Sequence, residues 1–334
     1  MHFSKTDQRY MKMALRLAAK GCGTTSPNPM VGAVLVRSGR VLGRGFHLRA
    51  GQPHAEPHAI RDAKRRGHSC VGATLYVTLE PCSTHGRTPP CTDLIRREKI
   101  RRVVIGTLDP NPQHAGRAIL LLHRAGIEVG VGCREAECRE INRIFNKWIL
   151  TGLPYVIAKA AVSADGFMSG QRGRWITSVS QRRAAHKLRR QVDAILVGVR
   201  TVLEDDPSLT VRHGQNVPGK VQPWRIVLDP NRRLPPGAKV LTDPWKHRTR
   251  VIRDRRLMRP DGRVDLPRLL SDLGRRGVTS VLVEGGGRVL ESFFRGKLVD
   301  EFHLYRGAKK LGRDGRISAA GFLGLACQPK GRRA

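Results

Sequence analysis

The first apolar pattern along the chain has helical spacing. In KTDQRYMKMALRLAAKG, Met11, Ala14, Leu15 and Ala18 recur three and four residues apart and so share one helix face. The period then shortens. MVGAVLV (30–36) and VLGRGF (41–46) are short apolar runs, and RSG between them predicts a turn joining two strands. A helix is expected from about His54 to Gly67 and strands over 73–79 (ATLYVTL) and 101–107 (RRVVIGT), each followed by a helix, the second over 115–125. A short strand, IEVGVG (127–132), follows. Strands alternating with helices predict an α/β layered domain. A further helix, EAECREINRIFNKWIL (135–150), runs into TGLP, where Gly152 and Pro154 mark a boundary.

The alternation then restarts with PYVIAKAAVSADG, WITS, a helix over 182–192 (RRAAHKLRRQV) and a strand over 194–199 (AILVGV). RIVLD (225–229), RVIR (250–253) and SVLVE (280–284) continue it, the last leading into three glycines and a helix, and VDEFHLYRGA (299–308) adds a strand. The expected division is residues 1–150 and 151–334, two α/β domains, with neither an internal repeat nor a low-complexity segment.

Composition narrows the partners. At 334 residues and 40% hydrophobic, the chain can bury two cores. Lys and Arg number 62 against 27 Asp and Glu, a net charge of +35 that fits phosphate-bearing partners, either nucleic acid or a phosphorylated small molecule. The basic residues are scattered (RDAKRRGH, RRAAHKLRR, RDRRLMR, PKGRRA), which reads as a general basic surface. Seven cysteines is an odd count without the spacing of a disulfide framework. The N-terminal stretch lacks a signal-peptide apolar core, and no apolar run approaches membrane-spanning length. A cytoplasmic protein without a membrane partner is expected.

The candidate chemistry lies in HAEPHAI (54–60) and TLEPCSTHGRTPPC (78–91). A zinc ion takes His nitrogen and Cys thiolate in a tetrahedron, and a catalytic site leaves the fourth position to water. His54, Cys82 and Cys91 supply three ligands and stop there. Zinc lowers the pKa of such a water toward neutrality. Glu56, two residues from His54, can sit beside that water and carry its proton to a ring nitrogen and a departing amine. Taken singly, each residue is ordinary: a histidine capping a helix, a solvated glutamate, buried thiols. Their joint order, one group opening a helix and the other following a strand, matches the H-x-E…P-C-x-x-C layout of zinc deaminases of nucleobases, with a wider final spacing. His58 would close the site to water as a fourth ligand, so substrate contact or helix packing is expected of it. Cys22, Cys70, Cys133, Cys138 and Cys327 read as structural thiols.

PNPMVGAVLV, HAEPHAI, VTLEPCSTHGRTPPC and DPNPQHAGR together resemble the deaminase half of the bifunctional riboflavin-biosynthesis deaminase/reductase family, whose wide HGRTPPC loop separates it from cytidine and tRNA-adenosine deaminases. The resemblance implies a cytidine-deaminase-like three-layer domain with one zinc ion held by His54, Cys82 and Cys91. It makes Glu56 the proton donor and places Asn28 in the substrate pocket. Thr84 stands where a second histidine is common, and Pro57 where Val is common; proline is tolerated in a first helical turn.

In SVLVEGGGRVLESFF, three glycines between a strand and a helix form a candidate anion cradle, because glycine lets backbone N–H groups approach a phosphate. With AKAAVSADG, WITS and DAILVGVRTVLEDDPSLTVR, this segment resembles the reductase half of the same family, which has a dihydrofolate-reductase-like α/β fold and uses NADPH. The implied cofactor positions are Ala161, Trp175, Thr201, Asp205 and the run Gly286, Gly287, Arg288, Val289, Leu290, Glu291 and Ser292. The implied substrate positions are Gly173, Arg189, Leu209, Arg212 and Glu284, and the two arginines suit a phosphate. Gly173 stands where serine is common, and the loop after Asp165 is about two residues short of the family's usual length. Beyond Gly312 the chain is shorter than the family's ending and lacks a last strand pair.

The expected function is riboflavin biosynthesis. The first domain would deaminate 2,5-diamino-6-(5-phosphoribosylamino)pyrimidin-4-one to 5-amino-6-(5-phosphoribosylamino)uracil. The second would reduce the ribosyl chain with NADPH to give 5-amino-6-(5-phosphoribitylamino)uracil. A homo-oligomer is the expected assembly, and nucleic acid is not the expected partner. One alternative is a nucleic-acid cytidine or adenosine deaminase with an accessory domain, which the wide Cys82–Cys91 loop opposes. Another is a zinc-structured nucleic-acid-binding protein, which needs a fourth protein ligand.

Overall fold

Ser4 opens the first helix with a capping box: its hydroxyl accepts the Asp7 N–H at 3.1 Å, and the Asp7 carboxylate accepts the Ser4 N–H at 3.1 Å. The computed structural model describes residues 3–85, 89–112, 114–169, 175–212 and 221–326. The chain divides into two units, Met1–Thr151 and Gly152–Ala334.

The first unit runs α1 (Lys5–Ala18), β1 (Gly32–Arg37), β2 (Arg40–Phe46), α2 (Ala55–Arg65), β3 (Thr74–Leu79), α3 (Cys91–Arg97), β4 (Arg102–Thr107), α4 (Arg117–Arg124), β5 (Glu128–Val131), α5 (Glu135–Ile141) and α6 (Arg143–Thr151). Its sheet has the order β2-β1-β3-β4-β5; β1 is antiparallel to β2 and β3, and the other pairs are parallel. Alternate residues of each strand face opposite cores. Leu35, Leu75 and Val103 pack with Ala59 and Ile60 of α2 and Ile95 of α3, while Val34, Tyr76 and Val104 pack with Met11 and Ala14 of α1. Helices on both faces make three layers. The four predicted α1 positions are all buried.

Glycine sets how closely α2 lies on β2. A Cβ at Gly43 or Gly45 would overlap the α2 backbone at Ala59 and Ala55, so only glycine admits this approach. The helix predicted over 135–150 breaks at Asn142, whose side chain accepts the Met30 N–H at 2.8 Å and donates to the Met30 carbonyl at 3.0 Å. Asparagine gives up helical continuity for that pair of backbone partners.

The second unit runs β6 (Tyr155–Val162), α7 (Val179–Gln191), β7 (Ala194–Gly198), α8 (Val199–Asp205), β8 (Trp224–Leu228), α9 (Lys239–Thr242), β9 (Thr249–Ile252), α10 (Leu266–Arg275), β10 (Ser280–Val283), α11 (Gly287–Arg295), β11 (Glu301–Arg306) and α12 (Ala320–Ala326). Its six strands, ordered β11-β6-β10-β7-β8-β9, pair in parallel throughout. One face packs on α10, α11 and α12, and the other on α7, α8 and α9. Among the described residues no helix is long and apolar enough to cross a membrane.

Among the described residues, the chain after β11 adds no further strand. Lys309 to Ala319 lies against the loop after β6: Ala164 N–H donates to Lys309 O at 2.8 Å, Met168 N–H to Ile317 O at 2.7 Å, and Arg316 N–H to Ser169 O at 3.0 Å. The apolar run that follows is helical. Its Phe322, 1% exposed, stacks on Phe294 of α11 at 6.1 Å and meets Phe302 of β11 edge-on at 6.3 Å. The edge strand β11 is thereby covered on one face.

Candidate functional site

Two helix starts and one strand end converge in the first unit. His54 is the N-cap of α2, Cys91 is the first residue of α3, and Cys82 lies three residues beyond β3. The His54 Nδ1 is 3.4 Å from Cys82 Sγ and 3.5 Å from Cys91 Sγ, and all three donor atoms lie within 4.8 Å of one another. Zn–S and Zn–N bonds of ordinary length place tetrahedral ligands roughly 3.5 Å apart, so the spacing fits a zinc ion. Among the described residues no fourth His, Cys, Asp or Glu joins the group, and His58 stays outside it.

The charges fit as well. The His54 ring, bonded to the Cys82 sulfur, is held up at about 9. The Cys82 thiol, bonded to Cys91 and His54, is drawn down to about 4, while Cys91 is pushed up by its bond to Cys82. Donors that compete in this way for protons form a set that a divalent cation satisfies.

Glu56 stands on the first turn of α2, 2% exposed, and its Oε2 is buried without a hydrogen-bond partner among the described residues. Burial pushes its carboxyl up to about 7. Such an oxygen, close to the metal group but outside it, is free for a water or a substrate. Asn28 faces the same region through His47: its Nδ2 is 3.2 Å from His47 Nε2, and the His47 ring meets the His54 ring edge-on at 5.4 Å.

Sequence reasoning missed Glu80. This buried carboxylate accepts the N–H groups of Asp109 at 3.2 Å, Gly116 at 2.9 Å and Ala118 at 3.0 Å, tying the DPNPQHAGR loop to the end of β3. It thereby holds Asp109 near Cys82; burial pushes the Asp109 carboxyl up, and the charges of Glu80 and Cys82 add to the effect. The available signal was an acidic residue two places before a ligand cysteine.

In the second unit Ala161, Thr201, Glu284 and Gly286 lie at or just past the carboxyl ends of parallel strands, where α/β sheets bind ligands. Gly286 caps α11, and no side chain caps that end. A Cβ at Gly285 would lie 2.7 Å from Val289 Cβ, so packing requires that glycine. Among the described residues, a Cβ at Gly286 would meet only Thr201 Oγ1, at 3.9 Å. That space beside a helix N-terminus, with Thr201 of α8 next to it, suits a cofactor phosphate. In the rest of the run, Gly287 abuts Ile317 and Met168, Arg288 is exposed, and Leu290 is buried in the core. Glu291 pairs with Arg295 at 2.7 Å, and Ser292 Oγ bonds to Arg288 O. Ala161 lies on β6 beside Tyr305, and Asp205 ends α8. Trp175 is exposed under the Arg182 guanidinium at 4.6 Å. Gly173 lies outside the described residues.

Arg189 and Glu284 meet each other. Arg189 Nε donates to Glu284 Oε1 at 2.6 Å and a terminal nitrogen to Oε2 at 2.9 Å, a bidentate pair with side chains 12% and 7% exposed. The Lys159 ammonium, another residue missed from sequence, is 3.7 Å from the same carboxylate. Arg212, by contrast, is exposed. Leu209 is buried with φ +49°, a left-handed conformation that costs a bulky residue about 1–2 kcal/mol.

A candidate three-ligand metal group with a buried glutamate beside it, followed by a parallel-sheet unit with a glycine-rich helix start, is the arrangement of a deaminase-type unit joined to a reductase-type unit. Two family models agree: the cytidine and deoxycytidylate deaminase zinc-binding region matches residues 4–107, and the RibD C-terminal domain matches 154–331. The riboflavin biosynthesis protein RibD of Aquifex aeolicus is 43% identical over 96% of this chain and 92% of its own length. The Escherichia coli RibD is 42% identical over 93% and 90%. The solved structure of a diaminohydroxyphosphoribosylaminopyrimidine deaminase/5-amino-6-(5-phosphoribosylamino)uracil reductase from Thermotoga maritima superposes with a TM-score of 0.84 at 37% identity, covering 97% of this chain and 93% of that one. The chain belongs to the RibD family and with it to riboflavin biosynthesis, as an enzyme with deaminase and reductase activities.

Proposed function

We propose that residues 1–150 hydrolyse the exocyclic amine of 2,5-diamino-6-(5-phosphoribosylamino)pyrimidin-4-one. Residues 151–334 then reduce the ribosyl chain of the product, 5-amino-6-(5-phosphoribosylamino)uracil, with NADPH, giving 5-amino-6-(5-phosphoribitylamino)uracil. The observation that carries the reading is the partnerless buried oxygen of Glu56 beside a His54, Cys82 and Cys91 group of tetrahedral spacing. Those three residues would hold zinc, which would supply the Lewis acidity that brings a water's pKa toward neutrality. Glu56 takes a proton from that water, passes it to the pyrimidine ring nitrogen, and delivers a proton to the amine that leaves as ammonia. Asn28, fixed by His47, orients the pyrimidine.

In the second step, Gly286, Gly287 and Thr201 would hold NADPH, which would supply the hydride for the ribosyl carbon bonded to nitrogen, while the former ring oxygen would take a proton. Lys159, anchored on Glu284, brings an ammonium to this group. Arg212 faces the substrate phosphate, since the charge of Arg189 is already matched by Glu284. The three-ligand group favours this over a zinc-structured nucleic-acid binder, and the setting is a cytoplasmic homo-oligomer. Glu56→Gln is the direct test. Ammonia release should fall by ~10²–10⁴-fold, the usual worth of a general acid–base group, with reduction of the deaminated intermediate intact. Deamination within a few-fold of wild type would remove Glu56 from the mechanism.

A further inference from the structure

The segment from Asp206 to Arg212 has no helix or strand of its own, and two of its non-glycine residues, Asp206 and Leu209, are left-handed at φ +38° and +49°. Backbone polar groups in such a segment need partners. Side chains from outside it supply them. Arg225 donates to Ser208 O at 3.0 Å, and Arg189 to Thr210 O at 3.0 Å. Gln222 Oε1 accepts the Val211 N–H at 2.7 Å. The last bond is the one next to the charge: the Arg212 N–H donates to Nδ1 of His186 at 3.1 Å.

His186 is 7% exposed and sits one helical turn before Arg189 on α7, so the two side chains share a face. It therefore reaches the segment from the same helix that holds Glu284. The Arg212 side chain is exposed, and its aim depends on the backbone that carries it. We infer that His186 is a positioning residue of the reductase, fixing through its Nδ1 the backbone from which Arg212 reaches the substrate phosphate. The inference rests on the reading of Arg212 proposed above. It assigns His186 no contact with substrate or cofactor.

The test is steady-state kinetics of the full chain with 5-amino-6-(5-phosphoribosylamino)uracil and NADPH, for His186→Ala, His186→Asn, Arg212→Ala and the double variant His186→Ala/Arg212→Ala. Losing one neutral hydrogen bond behind a binding group should raise the substrate KM in His186→Ala by up to about ten-fold, with kcat and the NADPH KM unchanged. Asn Oδ1 can accept the same N–H, so His186→Asn should return KM to within about two-fold of wild type. In the Arg212→Ala background, His186→Ala should add nothing further. An unchanged KM in His186→Ala, a further rise in the double variant, or a failure of asparagine to rescue would overturn the positioning role. If Arg212→Ala itself leaves KM unchanged, the phosphate reading falls, and the inference with it.

Discussion

Replacing Arg189 with methionine probes a buried, bidentate charge pair of the second unit. Burial alone would push the Glu284 carboxyl up, but the charges of Arg189 and Lys159 outweigh it and hold it down at about 2, against an ordinary 4.5. At about 1.4 kcal/mol for each decade in a proton equilibrium, that displacement corresponds to roughly 3 kcal/mol of stability at neutral pH. The sign follows from the depressed value: the contribution is complete above the unfolded value near 4.5 and is lost as pH falls toward about 2. In Arg189→Met the carboxylate stays buried with Lys159, at 3.7 Å, and His186 nearby, and the expected loss is about 3 kcal/mol, the low end for a broken buried pair. Adding Glu284→Gln removes the stranded charge, so the double variant should lose less than the two single losses combined. Three of the four tryptophans, Trp175, Trp224 and Trp245, lie in the second unit, so urea unfolding followed by fluorescence reports mainly on it. At about pH 3.5 the gap between wild type and Arg189→Met should be roughly 1 kcal/mol smaller than at pH 7. A loss below about 1 kcal/mol at pH 7, or a gap that does not narrow in acid, would refute the electrostatic account.

Other consequences are as direct. Chelation, or Cys82→Ser, should stop deamination and release about one zinc per chain, as a three-ligand site requires; active protein without zinc would contradict the metal assignment. Phe322→Ala should destabilise the second unit by about 3–5 kcal/mol, because the ring is buried against Phe294 and Phe302. Calorimetry should show its transition falling, and NADPH raising it selectively, while the transition of the first unit stays in place.

Much of this was legible in the chain because its signals are local. The α1 face, the strand alternation and the order of His54, Glu56, Cys82 and Cys91 all depend on neighbours in sequence or on a known layout. What stayed hidden is set by partners far away. Asn142 ends a helix because Met30, 112 positions earlier, offers it two backbone bonds. Arg189 was placed among the substrate positions by the motif it stands in, and nothing local to it shows that its guanidinium pairs with Glu284, 95 positions on. Glu80 carries no periodicity, and its three N–H partners exist only once the 109–118 loop has folded back. The run Ala320–Ala326 forms α12, and its Phe322 covers β11 through Phe302, 20 positions earlier.

If one chain carries both activities in sequence, its products reveal it. The purified protein is incubated with 2,5-diamino-6-(5-phosphoribosylamino)pyrimidin-4-one, with and without NADPH, and ammonia, NADPH and pyrimidine products are followed together. Without NADPH, ammonia should be released and 5-amino-6-(5-phosphoribosylamino)uracil should accumulate. With it, each ammonia should be matched by one NADPH oxidised, and the ribityl product should replace the ribosyl one. No ammonia from the diaminopyrimidine, or an accumulated aminouracil that NADPH leaves untouched, would contradict the account.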